Sequence, residues 1–456
     1  MDKKDIQTFF AVEANLRMDE YVVFTYLFET SLDPLEAAAR LCRETSTAQW
    51  SRPGVDEDFR PKHAARVVSL DVLDESGISA FYTQVEEGKQ KFLRVRVRIA
   101  HPYHNFGTGL PNLLTVAMGE GAFFSYGITA IKLVDLELPD SYLADFQGPQ
   151  FGIEGFRRML DVYDRPFFFG VVKPNVGLDP ESFAGIALES WLGGLDAAKD
   201  DEMLVDPAYS PFKKRMGLVG SARRKAEDAT GERKMFIANI TDEVDRLTEL
   251  HDVAVGNGVN AVMVNVMAVG LSAVRMLRKH ASVPIVAHFD CIAPMSMHPW
   301  FGVASHVMTK LQRLCGCDVI IMPGFGERMK TPDHEVLKNV SECLDNFGTV
   351  SPVLPVPGGS DWAGTLPMMF DRIGSSDFAM VPGRGVFGHP MGPRAGARSL
   401  RQAWDAINEG VGMEDYAVDH AELREALKTF GNNQDTRNNN QTSTNNQAPI
   451  IKQTKV

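Results

Sequence analysis

The chain has 456 residues, of which 47 are lysine or arginine and 59 are aspartate or glutamate, so its formal net charge is −12. This length suggests about two to three domains, and a hydrophobic fraction of 44% is enough for a large core. An acidic chain repels polyanions on average, so nucleic acid and anionic membranes are poor candidates for a partner, whereas a local basic pocket for a small phosphate is allowed. The start of the chain lacks the apolar core of a signal peptide and no apolar run reaches about 18 residues, so we expect a cytoplasmic protein that does not span a membrane.

The first part of the chain, residues 1–145, predicts an α+β domain. Strand-like runs at 20–29, 65–73 and 91–100 accompany a helical pattern at 34–42. In the third run, apolar and basic residues alternate strictly, which is typical of a half-buried strand with its arginines facing solvent. Strands and helices mixed in this way favour a separate domain.

Residues 146–431 predict a (β/α)8 barrel, also called a TIM barrel. Eight apolar runs that alternate with helical stretches over about 250 residues are the pattern of this fold. Continuous apolar runs also suit parallel strands that are buried on both faces. A doubly wound open sheet is the alternative, but no glycine-rich dinucleotide loop follows the first run. The eight predicted strands are 166–174, 194–201, 234–240, 260–267, 284–289, 318–324, 352–359 and 378–385.

The sequence changes character after residue 431. Residues 432–456 are rich in asparagine, glutamine and threonine and almost free of large apolar side chains. Such a segment cannot bury enough apolar surface to offset the entropy lost on ordering, which predicts a disordered polar tail. A binding role for this tail is the alternative.

The sharpest cluster of charged residues follows the second predicted barrel strand. Catalytic groups in such barrels lie at the C-terminal ends of the strands. Alternation along the strand would direct Lys199 and Asp201 toward one site, with Glu202 beside them where the strand breaks. Two carboxylates can hold Mg²⁺, and a lysine that adds CO₂ becomes a carbamate, which is a third anionic oxygen ligand. The alternative is an exposed run of charges in which Lys199 pairs with its neighbours.

Two further strand ends carry groups that can move protons. Lys173 follows the first barrel strand, and burial makes a lysine amine usable in proton transfer near neutral pH. His288 lies at the end of the fifth strand. The alternatives are a lysine that extends from the barrel mouth into solvent and a histidine that is only a hydrogen-bonded core residue.

Glycines follow the seventh and eighth strands, where barrels often bind phosphate through backbone N–H groups. Gly358 and Gly359 end the seventh strand, and Gly383 and Gly385 flank Arg384 after the eighth. Tight turns need glycine as well, so the glycines alone are weak evidence. The arginine between them favours an anion site.

Several motifs, in the same order along the chain, resemble the large subunit of RuBisCO. Residues 170–174 read Gly-Val-Val-Lys-Pro, and residues 193–202 read Gly-Gly-Leu-Asp-Ala-Ala-Lys-Asp-Asp-Glu. In the N-terminal part, residues 44–50 are similar to the family's Glu-Ser-Ser-Thr-Gly-Thr-Trp. Residues 387–390 and 395–404 resemble the segment after its eighth strand. The resemblance covers both predicted domains.

The resemblance implies roles for these residues. It makes Lys199 the carbamylated lysine, which binds Mg²⁺ together with Asp201 and Glu202. It makes Lys173 the proton-transfer lysine and His288 the histidine of the fifth strand. The cofactors it implies are therefore Mg²⁺ and CO₂, the latter as a lysine carbamate.

The resemblance also implies a homodimer whose active sites are shared between subunits. Glu44 and Trp50 would reach the partner's barrel and contact substrate there. Gly358, Gly359, Gly383, Arg384 and Gly385 would form the phosphate-binding side of the same site.

Departures from the family pattern decide which function the resemblance implies. The mobile-loop lysine that stabilises the carboxylated intermediate in RuBisCO is Glu327 here, and a carboxylate would repel the same developing anion. The arginine, histidine and serine of one phosphate site are also missing. The other replacements, of which the first two are expected at the substrate site, are Asn175 for the second lysine of Lys-Pro-Lys, Glu120 for an asparagine, Phe289 for the arginine and Pro357 for the serine.

These features are similar to those of RuBisCO-like proteins of form IV, in the photosynthetic-bacterial branch linked to sulfur metabolism, which do not fix CO₂. The leading hypothesis is Mg²⁺-assisted enolisation or isomerisation of a small carbonyl compound with at most one phosphate, because related RuBisCO-like proteins act on methylthio-sugar phosphates as an enolase or an isomerase. Lys173 or the Lys199 carbamate would move the proton. The alternative is a non-catalytic protein with a role in sulfur metabolism or the oxidative-stress response.

Overall fold

The computed structural model describes residues 1–49, 54, 57–81 and 91–431. Trp50 and the predicted tail at 432–456 lie outside the described residues, and so does the side chain of Glu327. The tail therefore stays a prediction, as do the domain boundaries drawn from the sequence.

The N-terminal part combines strands and helices, as predicted, whereas the antiparallel pairing of its strands and the fourth strand at Ile128–Glu137 were not predicted. Its strands are β1 (Tyr21–Thr30), β2 (Arg66–Ser76), β3 (Phe92–Pro102) and β4 (Ile128–Glu137), in the spatial order β4-β1-β3-β2. In β3, Val95, Val97 and Ile99 are fully buried whereas Arg96 is exposed, which confirms the predicted alternation. Its helical segments are Lys3–Gln7, Glu13–Asn15, Met18–Glu20, Pro34–Glu44, Arg60–His63, Tyr103–Asn105, Leu110–Met118, Glu120–Phe123 and Asp140–Leu143.

An eight-stranded parallel barrel follows, and all eight predicted strands are present. They form a sheet in the order β12-β11-β9-β8-β7-β6-β5-β13. The two end strands of this order are in contact, since a Cβ atom added to Gly358 of β12 would lie 3.3 Å from Val381 Cγ1, just after β13. The barrel strands are β5 (Phe167–Val171), β6 (Ala197–Lys199), β7 (Met235–Asn239), β8 (Ala261–Asn265), β9 (Ile285–His288), β11 (Val319–Pro323), β12 (Leu354–Gly358) and β13 (Ala379–Met380), and a further strand, β10 (Gly302–Val303), lies between β9 and β11 in the sequence.

The short strand β10 is a feature that the sequence did not predict. It lies outside the barrel and pairs in parallel with β4, with Gly302 opposite Lys132. The Lys132 ammonium also donates to the backbone oxygens of Ser296 and His298. The N-terminal sheet is therefore completed by a segment from the second half of the chain.

Alternation along the barrel strands divides the core into an interior and a shell. Phe167 and Phe169 of β5 face the barrel interior, whereas Phe168 packs in the layer beneath the helices. Helix Gly152–Leu160 closes the end of the barrel at which the strands begin, and its Phe156 lies edge-on to Phe167, with ring centroids 6.2 Å apart. The opposite end, where the strands finish, is left open for a cavity.

The sequence predicted helices between the barrel strands, including helices at 242–257 and 272–280, and the structure has helical segments in both places. In the described ranges, no helix combines the length and the apolar character needed to cross a bilayer. The helical segments are Pro180–Leu192, Phe212–Thr230, Val244–Arg246, Leu247–Gly256, Val266–Val269, Leu271–His280, Ile292–Ser296, Ser305–Leu314, Glu327–Met329, Asp333–Leu344, Ala363–Thr365, Leu366–Ile373, Arg384–Phe387, Pro393–Glu409, Met413–Tyr416 and Ala421–Phe430.

Candidate active site

A cavity of about 1030 Å³ opens where the barrel strands end. Residues from the ends of six strands meet there although they are far apart in sequence, as the barrel geometry requires. Within the cavity wall, one side carries lysines and carboxylates and the other carries glycines. The predicted site residues that line it are Lys173, Asn175, Lys199, Glu202, His288, Gly358, Gly359, Gly383, Arg384 and Gly385.

Two lysine–carboxylate pairs lie side by side at the ends of β5 and β6. Lys173 Nζ donates to Asp201 Oδ2 at 2.8 Å and to Asn175 Oδ1 at 2.6 Å. Lys199 Nζ lies 3.3 Å from Glu202 Oε2. The lysines therefore face these carboxylates within the barrel mouth, and Lys199 pairs with its neighbour Glu202 as the alternative had it, but in a buried position and not in an exposed charge run.

Burial gives the Lys199–Glu202 pair unusual electrostatics. The Lys199 side chain is only 1% exposed, and this burial lowers the pKa of its amine against the opposing charges of Glu202 and Asp201. Burial disfavours ionisation of Glu202, but Lys199 and His288 outweigh it and lower the pKa of that carboxyl to about 2. A lowered pKa increases the neutral fraction of the Lys199 amine, which is the form that can add CO₂.

The segment that carries these residues is anchored from behind by a buried ion pair. The Asp200 carboxylate accepts from Arg215 Nε at 3.1 Å and from the backbone N–H of Asn239 at 3.0 Å. Both charged side chains are fully buried. The Asn239 side-chain amide also donates to the backbone oxygens of Asp201 and Glu202. Asp200 thus fixes the backbone from which its two neighbours project.

His288 connects the lysine side of the cavity to a further carboxylate. Its Nε2 lies 3.5 Å from Glu202 Oε2, and its Nδ1 lies 3.4 Å from Asp290 Oδ1. Its ring stacks on Phe289, with centroids 4.8 Å apart. Glu202, His288 and Asp290 each offer a ligand atom within 4.8 Å of the others, so they form a second candidate donor set for a cation. Sequence reasoning missed Asp290, although its position two residues after a strand-end histidine was a usable signal.

The donor set expected for Mg²⁺ fits the chemistry of that ion. Asp201 and Glu202 supply hard oxygen donors, and Lys199 supplies a buried amine of lowered pKa. Asp201 is fully buried, and its two oxygens accept from Lys173 Nζ and from the backbone N–H of Met203. The ammonium of Lys173 therefore occupies a position on Asp201 that a metal cation would contest.

On the glycine side, the backbone comes close to neighbouring groups. A Cβ atom on Gly383 would lie 2.9 Å from Lys173 Cε, and one on Gly385 would clash with the backbone oxygen of Asp361. Asp361 itself was not predicted. The Asp361 side chain lies against the turn at Gly358 and Gly359, and the backbone N–H of Gly359 donates to its carboxyl at 3.3 Å. Arg328, from the loop after β11, lines the same part of the cavity.

Glu44 and Glu120 do not reach this cavity within one chain. They line a separate pocket of about 470 Å³ on the N-terminal domain, together with Arg40 and Arg43. The carboxylate of Glu44 accepts from the Arg43 guanidinium at 2.8 Å. A part for these two residues at a partner's barrel stays a prediction.

Comparison with known proteins places the chain in a family. Residues 152–430 match the family model described as "Ribulose bisphosphate carboxylase large chain, catalytic domain", and residues 12–142 match the corresponding N-terminal domain. The chain belongs to the ribulose bisphosphate carboxylase large-chain family. The resemblance drawn from its motifs is confirmed.

The curated relatives include proteins named RuBisCO-like rather than RuBisCO. A "Ribulose bisphosphate carboxylase-like protein" from Allochromatium vinosum is 56% identical over 94% of each chain. The "Ribulose bisphosphate carboxylase-like protein 2" of Rhodopseudomonas palustris is also 56% identical, over 94% of this chain and all of its own length. A "3-oxo-isoapionate-4-phosphate decarboxylase" from Rhizobium etli is 33% identical over 90% of this chain and 98% of its own.

Solved structures of the family share the whole architecture. A RuBisCO-like protein from Burkholderia fungorum has a TM-score of 0.83 at 30% identity, and the match covers 90% of this chain and all of that one. A RuBisCO-like protein (MtnW) from Alicyclobacillus acidocaldarius matches with a TM-score of 0.79 at 29% identity, over 90% of this chain and all of that one. A dimeric archaeal RuBisCO from Hyperthermus butylicus matches with a TM-score of 0.80 at 28% identity, over 93% of this chain and 99% of that one. The predicted fold is confirmed.

Proposed function

We propose that this member of the family does not fix CO₂ and instead catalyses Mg²⁺-assisted enolisation or isomerisation of a small carbonyl compound with at most one phosphate. The observation that carries this proposal is the cavity itself. One side of it holds two lysine–carboxylate pairs, each with one fully or almost fully buried member, and the other side holds glycine turns with backbone donors. A carbonyl group near the lysines and an anionic group near the glycines can therefore belong to one small molecule.

Lys199 as a carbamate, Asp201 and Glu202 are the residues proposed to hold Mg²⁺. The bound ion would supply Lewis-acid polarisation of the substrate's carbonyl oxygen. The contribution of the chain is the buried Lys199 amine of lowered pKa and the carboxylates that the Asp200–Arg215 pair keeps in position.

Lys173 is the residue proposed to move the proton. Its side chain is 31% exposed, whereas that of Lys199 is 1% exposed, so the Lys173 amine is more accessible to a substrate. In its neutral form, the amine takes a proton from the carbon beside the carbonyl group, the C–H electron pair becomes a C=C bond, and the carbonyl oxygen receives the displaced pair. Return of a proton to the same carbon gives isotope exchange, and return to the neighbouring carbon gives the isomer. Asn175 and Asp201 position the amine through their contacts with Nζ.

The substrate class rests on the relatives and on the glycine side of the cavity. The Rhizobium etli relative is named for a phosphorylated sugar-acid substrate. The turns at Gly359 and Gly383 offer backbone donors to one phosphate group. A methylthio-sugar phosphate of sulfur metabolism is our first candidate, and a homodimer in which Glu44 reaches the partner's cavity is part of the same proposal.

Deuterium exchange tests this function directly. The full-length protein is incubated in D₂O with Mg²⁺, bicarbonate and a panel of ketose phosphates that includes 5-methylthioribulose 1-phosphate and ribulose 5-phosphate. We expect NMR to show deuterium beside the carbonyl group of at least one compound. A protein that exchanges none of them is not an enolase or isomerase of this class, which would leave the non-catalytic hypothesis. Incorporation of labelled bicarbonate into product from ribulose bisphosphate would refute the claim that it fixes no CO₂.

A further inference from the structure

The carboxyl group of Asp361 occupies the glycine side of the cavity. It follows the Gly358–Gly359 turn at the end of β12, and it accepts a hydrogen bond from the backbone N–H of Gly359 at 3.3 Å. The side chain also lies against Gly359, because a Cβ atom placed on this glycine would come 3.5 Å from Asp361 Oδ1. The carboxyl therefore lies beside a donor that a phosphate oxygen would use.

Asp361 is buried without a counter-ion. The residue is 7% exposed, and in the part of the chain that the structure describes its carboxylate has no salt bridge. Burial raises the pKa of this carboxyl to about 7, although the N–H groups of Gly359 and Val381 and the charge of Arg328 act in the opposite direction. Near neutral pH, Asp361 is thus present both as an acid and as an anion.

The two forms have opposite effects on an anionic ligand. A neutral carboxyl can donate its O–H to a phosphate or sulfate oxygen beside Gly359. An ionised carboxylate has no proton to donate, competes for the Gly359 N–H and repels the ligand. Arg328 lines this part of the cavity and makes no ion pair within the described residues, so the surroundings favour an anion over a cationic group.

We infer that Asp361 is a specificity-determining residue of the anion site, which binds a phosphate or sulfate group when the carboxyl is protonated and excludes it when the carboxyl is ionised. Anion binding is therefore coupled to the uptake of one proton. This inference rests on the proposed function in one respect, since it says how the phosphate end of the substrate is recognised.

The coupling has a calculable size. When only the protonated form binds, the apparent dissociation constant equals the intrinsic one divided by the protonated fraction. The apparent constant then rises tenfold per pH unit above the titration midpoint, or about 30-fold between about pH 6 and about pH 8.5.

Sulfate is the best probe, because it carries the same charge throughout this pH range. Its binding to the full-length protein is measured by calorimetry without added metal or bicarbonate, in pairs of buffers that differ in heat of ionisation. The wild-type protein should lose about 30-fold in affinity between about pH 6 and about pH 8.5 and should take up nearly one proton at the alkaline end. This proton count requires no variant, so it stands even when a variant fails to fold.

Two variants locate the effect. Asp361→Asn is expected to bind sulfate at pH 8.5 about as tightly as the wild type does at pH 6, with no proton uptake. Asp371→Asn removes an exposed carboxylate on helix Leu366–Ile373, outside the cavity, and should keep the pH dependence of the wild type. Both variants leave in place the other charged or titratable groups that line the cavity, Lys173, Lys199, Glu202, His288, Asp290, Arg328 and Arg384.

Three results would overturn the inference. They are a wild-type protein that does not bind sulfate at pH 6, an affinity that does not change with pH, and an Asp361→Asn variant that keeps the wild-type pH dependence. Sulfate held elsewhere on the surface gives the third result. Because this assay involves no proton transfer from carbon, a failure of deuterium exchange with intact sulfate coupling refutes the proposed reaction alone. Exchange without sulfate coupling refutes the role of Asp361 alone.

Discussion

The two sides of the cavity differ in the partners that their buried carboxylates have. On the lysine side, each carboxylate has a side-chain cation, as in the Lys173–Asp201 pair at 2.8 Å. On the glycine side, Asp361 has no salt bridge within the described residues, and its partners are backbone N–H groups. The first side is a network of compensated charges whose geometry is fixed from behind by Asp200. The second side holds one carboxyl whose charge depends on pH and ligand.

This difference suits the lysine side to proton transfer and the glycine side to recognition of an anion. A group that moves protons must be held in one position, and Lys173 is held by both Asn175 and Asp201. A group that recognises an anion can instead change its protonation state without moving. The predictions below therefore test the lysine side first, where the effects should be largest.

Removal of the Lys173 amine should have the largest effect on activity. We expect Lys173→Met to lower the rate of deuterium exchange by about 10²- to 10⁴-fold, the usual contribution of a positioned acid or base. The matched control is Lys214→Met, which removes a lysine paired with Glu181 on the surface and 56% exposed. Equal rates in the two variants would show that Lys173 takes no part in proton transfer. Urea unfolding of both variants separates lost chemistry from lost folding.

Removal of Arg215 should have the largest effect on stability. Arg215→Met leaves the fully buried Asp200 carboxylate without its cation, and breaking a buried pair in this way costs about 3–5 kcal/mol. Urea unfolding measures this free energy, and Lys214→Met, one residue earlier on the same helix, should cost no more than about 1 kcal/mol. Similar losses in the two variants would mean that Asp200 is not anchored by Arg215.

Sequence reasoning was most successful where local pattern reflects burial. All eight barrel strands were found because parallel strands buried on both faces give continuous apolar runs, such as the one that contains β5. It failed on β10, a strand of two residues whose pairing with β4 depends on the packing of two distant segments. A two-residue strand has no periodicity from which it could be recognised.

From the sequence, the candidate site residues could be predicted only where they follow the end of a predicted strand. Lys173, Lys199 and His288 were found because they stand where apolar runs stop. The Lys173–Asp201 pair was not predicted, because only the barrel brings together the ends of β5 and β6, whereas pairing of Lys199 with its neighbours was one of the alternatives drawn from the sequence. Asp361 was missed because its burial is not visible in the sequence, since it depends on the close approach of the turn at Gly385 to the Asp361 backbone.

Asp361 should also make stability depend on pH. Its pKa in the folded chain is about 7, against roughly 3.9 for an unfolded aspartate. Folding therefore takes up a proton, so the contribution of Asp361 to stability is largest below about pH 4 and falls as the pH rises toward about 7. The Asp361→Asn variant has no carboxyl at this position, so its stability does not fall with pH for this reason. The stability of the variant relative to the wild type should rise by about 2–3 kcal/mol between about pH 5 and about pH 8.

Urea unfolding at both pH values, with Asp371→Asn as the control, measures this difference. Asp371 is exposed on helix Leu366–Ile373 and lies outside the cavity, so its replacement should give a nearly constant difference from the wild type. A constant difference for Asp361→Asn as well would show that this carboxyl ionises in the folded chain as an ordinary aspartate does.

The smallest effect is expected from Arg328, an exposed cation that lines the cavity near Asp361. Arg328→Gln should weaken sulfate binding about two- to fivefold, since an exposed charge contributes at most about 1 kcal/mol. The loss should shrink as salt rises from about 0.02 M to about 0.5 M, because screening acts on exposed charges. Lys330→Gln is the control: this lysine is exposed on the same loop but does not line the cavity. Equal losses in both variants would mean that the net charge of the loop attracts the anion, and that Arg328 has no specific contact with it.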